Sequence, residues 1–138
     1  MNDGLFIDTG YALALALVRD QHHLRASELA RQYDRSGRYL VTTTAVLLEI
    51  GNALSAPPLR PTALAILDGL RGDRRVVIVE TNEGLVSRAL ELFRQRSDKA
   101  WSLTDCISFV VMGDEGLSLA LTYDQHFEQA GFRALMRT

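Results

Sequence analysis

Four carboxylates stand where a buried element begins, ends or would otherwise be apolar. Asp8 closes the run Leu5-Phe6-Ile7, and Asp124 follows the run Leu119-Ala120-Leu121. Glu49 interrupts Val46-Leu47-Leu48-Glu49-Ile50, and Asp105 follows Leu103-Thr104 at the mouth of another apolar stretch. A charge at the edge of a buried element costs free energy unless something compensates it. If the four converge, mutual repulsion protonates some of them unless a cation sits between them. The set therefore points to a divalent-metal site and to metal-assisted chemistry.

Each acid taken singly has a plainer explanation. Asp8 suits a helix N-cap. Glu49 can face solvent, since Glu is a good helix former. Asp105 favours the positive end of a helix, and Asp124 suits a turn. Their joint placement is what carries the argument. In open α/β sheets ligands bind beyond the carboxyl ends of strands, and Asp8 and Asp124 follow two such ends. Glu49 shares a helix face with Asn52, at i and i+3, apart from the core stripe of Leu47, Ile50 and Leu54. His126, two residues after Asp124, could touch substrate but reads more readily as a packed or solvent-exposed loop side chain. His22 and His23 have no metal-binding spacing. Trp101 reads as packing its loop over the sheet, and Cys106 as a small buried residue.

The elements that must position these side chains alternate along the chain. Strands are expected over 5–8, 39–42, 76–79 and 117–122. Helices are expected over 11–19, 24–35, 45–56, from Pro61 to about 70, over 83–96 and over 105–112. Thr43 or Thr44, Asn82 and Thr104 are the expected caps of three of them, and Pro57-Pro58 stops the third. Residues 123–131 form a loop or short helix, and 132–136 a last edge strand. The helix over 11–19 is apolar all round, which implies cover on most sides. The run over 76–79 has the composition of a strand buried on both faces. The alternation implies a mainly parallel β-sheet flanked by helices on both faces, in three α/β/α layers.

The 138 residues suit a single domain over 1–138. With 47% hydrophobic and 23% charged residues, the composition excludes a disordered chain. A net charge of −2 gives no global attraction to nucleic acid, so such a partner needs a local basic patch. The lone Cys106 excludes a disulfide framework and a cysteine zinc site, and fits a reducing compartment, the cytoplasm. Met1-Asn2-Asp3-Gly4 lacks the basic start of a secretory signal. The apolar stretch over 11–18 is too short to span a bilayer, so no membrane partner is expected.

Four stretches together resemble the PIN-domain ribonucleases, and within them the VapC-like toxins of bacterial toxin–antitoxin pairs. They are Phe6-Ile7-Asp8-Thr9, Leu47-Leu48-Glu49-Ile50-Gly51-Asn52-Ala53-Leu54, Trp101-Ser102-Leu103-Thr104-Asp105-Cys106-Ile107-Ser108-Phe109, and Leu121-Thr122-Tyr123-Asp124-Gln125-His126-Phe127 with Gln129-Ala130-Gly131-Phe132 beyond it. The resemblance implies that Asp8, Glu49, Asp105 and Asp124 are an acidic catalytic quartet. Asp8, Asp105 and Asp124 would hold Mg²⁺ or Mn²⁺, ions that take oxygen ligands. Glu49 would orient or deprotonate the attacking water, or help bind the metal, and Thr104 and Thr122 would stand beside the metal. Arg94, Arg96 and Lys99, with Arg60 in reserve, would help hold RNA phosphates. It also implies an RNA substrate, a cognate antitoxin protein and a homodimer; the apolar helices over 45–56 and 62–70 could supply the dimer surface or equally belong to the core. A PIN-like module that binds RNA or protein without cutting, and a housekeeping RNA-processing nuclease, are the alternatives. Asp8-Thr9-Gly10 also matches aspartic proteases, but those are all-β and an Ala/Leu helix follows here. A phosphate-accepting receiver domain needs adjacent acids near its first strand and a late Lys. Here Asp3 precedes the strand, and Lys99, the one lysine, precedes Asp105.

Overall fold

The computed structural model describes residues 4–138. Met1-Asn2-Asp3, on which the expectation about a secretory start and the argument about Asp3 rest, lie outside the described residues. Leu5, Phe6 and Ile7 form β1 (Leu5–Ile7), at most 3% exposed at any residue. Apolar side chains on consecutive positions suit a strand with cover on both faces. Around it run β2 (Leu40–Thr43), β3 (Val76–Val79), β4 (Leu119–Leu121) and β5 (Arg133–Ala134), in the order β3-β2-β1-β4-β5 and all parallel. Leu5 pairs with Leu40 on one side and Leu119 on the other. The chain thus winds outward from β1 to β3, then returns to the opposite side of β1. That reversal places a switch point between the carboxyl ends of β1 and β4, where open sheets bind ligands. β3 differs from its sequence expectation: it is an outer strand, and Val77 is 47% exposed.

Helices α1 (Thr9–Ala16), α2 (His23–Asp34), α3 (Thr44–Ala53) and α4 (Arg60–Gly72) pack together as one layer. Helices α5 (Glu83–Gln95) and α6 (Leu103–Glu115) pair as the other layer, and the short α7 (Gln125–Gln129) leads into β5. The result is the expected α/β/α sandwich. α1 is shorter than the apolar pattern suggests and is not covered all round. Tyr11, Ala12 and Ala14 are buried, but Leu15 is 37% and Val18 78% exposed. His23 explains the early stop, because its Nδ1 donates to the Ala14 carbonyl at 2.8 Å. Thr43 caps α3 through the Val46 amide at 3.1 Å, and Asn82 caps α5 through the Leu85 amide at 2.9 Å. α6 corrects the expected cap. Ser102, not Thr104, begins it, and Ser102 and Asp105 bond each other's backbone amides reciprocally. A Ser three residues before an acid satisfies two free amides at once, which a Thr next to Asp105 cannot do. The helix also runs past Met112 to Glu115, where Gly116 at φ 69 supplies the left-handed cap.

An aromatic cluster ties the start of α6 and the whole of α7 to the sheet. Phe109 meets Trp101 edge-on at 5.0 Å and Phe127 edge-on at 4.9 Å, and Phe127 lies 6.2 Å from Phe6 of β1. Trp101 is buried as expected, and its indole N–H donates to Gln129 Oε1 at 2.9 Å. The final strand is shorter than expected, since Leu135–Arg137 turn into a 3₁₀ helix. Phe127 is fully buried at the centre of this cluster. Phe127→Ala is expected to lower the unfolding free energy by about 3–5 kcal/mol in urea titration. A loss below about 1 kcal/mol would show that the cluster does not hold α7.

Candidate active site at the switch point

Ile7 and Leu121 are register partners, so Asp8 and Thr122 leave the sheet side by side. The Asp8 amide donates to the Leu121 carbonyl at 3.2 Å. Asp8 stands at the N-cap of α1, yet its side chain makes no capping bond. Its Oδ2 instead accepts from the Thr122 hydroxyl at 2.8 Å. Thr122 is 1% exposed, and its oxygen also accepts from the Asp124 amide at 3.1 Å. One buried threonine therefore links the first and last acids of the set.

The other two acids arrive on helices. α3 carries Glu49 back over the rim, where Oε1 accepts from the Thr9 hydroxyl at 2.6 Å. The N-terminus of α6 delivers Asp105, whose Oδ2 accepts from the Ser102 amide at 3.0 Å. His126 Nδ1 lies 3.0 Å from that same oxygen and 3.3 Å from Asp124 Oδ1. Asp124 is the N-cap of α7 and accepts from the His126 amide at 2.8 Å. Asp8, Glu49, Asp105 and Asp124 together line one open pocket of about 490 Å³, with Thr9, Ser102, Thr122, Tyr123 and His126 among its other walls.

Burial pushes the Asp8 carboxyl up to about 7, with the nearby Asp105 and Glu49 charges adding to the rise. The Thr122 hydroxyl and the Thr9 amide pull the other way and do not offset it. Desolvation is thus the larger cause and like-charge repulsion the smaller. No Lys or Arg lines the pocket. Carboxylate and hydroxyl oxygens with one imidazole, around a carboxyl lacking a compensating charge, fit a hard divalent cation such as Mg²⁺ or Mn²⁺.

Several expected helpers lie elsewhere. Asn52 is exposed and off the pocket, because it sits one turn beyond Glu49 on a helix that runs away from the rim. Thr104 does not line the pocket; Ser102 takes that place. Arg94 pairs with Glu91 at 2.9 Å, and Arg96 with Asp98 at 3.1 Å while covering the Trp101 ring. Lys99 stands 3.9 Å from Asp98, and the Arg60 side chain donates to the Ser55 carbonyl. None of these four cations forms a pocket wall.

Thr9 and Ser102 were not anticipated as site residues, and His126 was considered only for contact with substrate. The expectation of a packed or exposed loop for His126 is corrected: it begins α7 and turns inward. The available signals were Asp-x-His at a helix start, a Thr beside Asp8, and a Ser three residues before Asp105. Tyr123 was missed too, and Arg137 stands over its ring at 5.4 Å on the rim.

The PIN domain model matches residues 5–133. The chain belongs to the PIN domain family. Its structure is similar to the crystal structure of Mycobacterium tuberculosis VapC20, a sarcin–ricin loop cleaving toxin, with a TM-score of 0.84 and 26% identity. That match covers 94% of this chain and 96% of the other. The protein is VapC-like within its family, and no curated protein matches it.

The raised Asp8 pKa has a measurable consequence for the metal-free protein. The folded state holds a proton that an unfolded Asp has lost, so stability contributed below the unfolded value of 3.8 drains away as pH rises to about 7. In chelator, unfolding free energy should fall with pH across this window by up to about 1.4 kcal/mol per unit relative to Asp8→Asn. Parallel curves for the two proteins would mean that Asp8 ionises normally.

Proposed function

We propose that this pocket hydrolyses RNA phosphodiester bonds with the help of Mg²⁺ or Mn²⁺, and that the protein is the toxin endoribonuclease of a toxin–antitoxin pair. The observation that carries the reading is the gathering of four carboxylates at the switch point of a PIN fold, around an Asp8 that is poorly ionised on its own. Asp8, Asp105 and Asp124 would hold the ion, which when bound would supply Lewis acidity to a water and neutralise charge on the phosphate under attack. Thr122 keeps Asp8 aimed at the site. Glu49, fixed by the Thr9 hydroxyl, orients the attacking water and accepts its proton.

The pocket walls are acidic, so the cation is also a condition for RNA to approach. Exposed ion pairs are weak, so Arg94, Arg96 and Lys99 can exchange their carboxylate partners for RNA phosphates outside the pocket. An RNA substrate puts the reaction in the cytoplasm. Among the described residues no helix is long and apolar enough to cross a membrane.

The cognate antitoxin would offer a basic side chain to the acidic pocket. An apolar cleft of about 410 Å³, with Tyr11, Leu15, Tyr33, Ile66 and Leu70 on its walls, is suited to receive an amphipathic segment of it. Ile7 and Leu121, which line this cleft, immediately precede Asp8 and Thr122 of the acidic pocket. Helices α3 and α4 and the turn between them leave Leu48 68%, Leu59 38% and Leu64 58% exposed. This face supports a homodimer.

Asp8→Asn and Asp105→Asn are expected to abolish cleavage of single-stranded RNA, and Glu49→Gln to slow it about a hundredfold or more. Chelation should stop the parent enzyme, and Mg²⁺ or Mn²⁺ should restore it. RNA retention without products in every metal would replace the nuclease with a binding module. Light scattering at micromolar concentration should give a dimer, and Leu48→Asp with Leu64→Asp a monomer. A monomeric parent would remove the dimer from this account.

A further inference from the structure

The acids of the pocket account for oxygen donors but not for the imidazole among them. His126 does not sit beside the cluster by default. Its amide is tied to Asp124 Oδ1 at 2.8 Å, and its side chain is 22% exposed. The ring presents Nδ1 to Asp105 Oδ2 at 3.0 Å and to Asp124 Oδ1 at 3.3 Å, and one donor atom from each of the three residues lies within 4.8 Å of the others. Adjacent donors on an octahedral ion about 2.1 Å from each stand about 3.0 Å apart. The nitrogen therefore already has the spacing of a neighbouring ligand with respect to two carboxylate oxygens. Between a ring nitrogen and two carboxylates the hydrogen sits on nitrogen. In the metal-free pocket that N–H thus occupies the direction in which the lone pair would meet a cation.

We infer that His126 is a nitrogen ligand of the metal site, alongside Asp105 and Asp124, and that it turns the pocket toward Mn²⁺ over Mg²⁺. This rests on the metal-dependent reading above. Mg²⁺ takes oxygen ligands and gives up its waters reluctantly, so an imidazole gains it little. First-row transition ions accept imidazole readily. A site of carboxylates alone would separate the two ions weakly; one nitrogen placed between two of the acids widens the gap. A His that merely steadied the carboxylates by hydrogen bonding would support both ions alike.

The test uses the full chain loaded with Mn²⁺ and read by pulsed electron paramagnetic resonance. A nitrogen coupling is expected in the parent, altered by ¹⁵N-histidine labelling and lost in His126→Gln. Calorimetric titration should show His126→Gln weakening Mn²⁺ binding about tenfold while Mg²⁺ binding changes less than about twofold. Circular dichroism melts check that the variant folds, and the parent spectrum decides the point even where it does not. Mn²⁺ bound to the parent with no nitrogen coupling, or an equal loss for both ions in the variant, overturns the role of His126 and leaves the metal-dependent nuclease standing. Failure of the parent to bind Mn²⁺ at all overturns both.

Discussion

The constraint from which the site follows is the burial of one carboxylate at the reversal of the strand order. Asp8 leaves the most buried strand of the sheet, and its environment resists ionisation near neutral pH. Only a positive charge brought into the pocket removes that resistance, because the walls carry no Lys or Arg. The central strand supplies rigidity, the switch point supplies the opening, and the uncompensated acid supplies the demand for a cation. Moving Asp8 to an outer strand would ionise it in water and dissolve the demand.

The local roles of the acids and their joint role do not compete. Asp105 completes a capping box with Ser102, and Asp124 caps α7, while both face His126. The caps fix each carboxylate's rotamer through bonds that helix formation requires anyway. Site geometry is thus a by-product of correct helix initiation, and little side-chain freedom is left for a ligand to freeze. Asp8 is the exception, since its cap position goes unused and Thr122 takes the carboxyl instead.

The sheet and its helices were legible because periodicity and turn residues report local structure directly. The four acids were legible because charge inside apolar runs is rare enough to notice. The errors have common physical roots. Val76 to Val79 has a composition that suits burial, but position in the sheet decides burial, and strand order is a long-range property. The α1 pattern implied all-round cover, yet where a helix meets solvent depends on its neighbours. The place of His126 was only partly legible, because its significance comes from Asp105, twenty-one residues away in sequence. Asn52 was drawn in by sharing a helix face with Glu49, whereas a pocket also has a depth along the helix axis.

Three helix beginnings meet at this rim: Thr9 of α1, Ser102 and Asp105 at α6, and Asp124 at α7. Amides at a helix start carry partial positive charge. They help the protein gather carboxylates at one rim, where burial raises the pKa of Asp8. The same amides would otherwise attract a phosphate. With the carboxylates bonded to them, that attraction is cancelled and free anions are turned away. In the proposed reaction a cation would reverse the sign of the pocket, so a phosphodiester would be accepted only where that ion is already held. On the proposed reading, substrate binding would be conditional on a loaded site, through the same acids proposed to hold the ion.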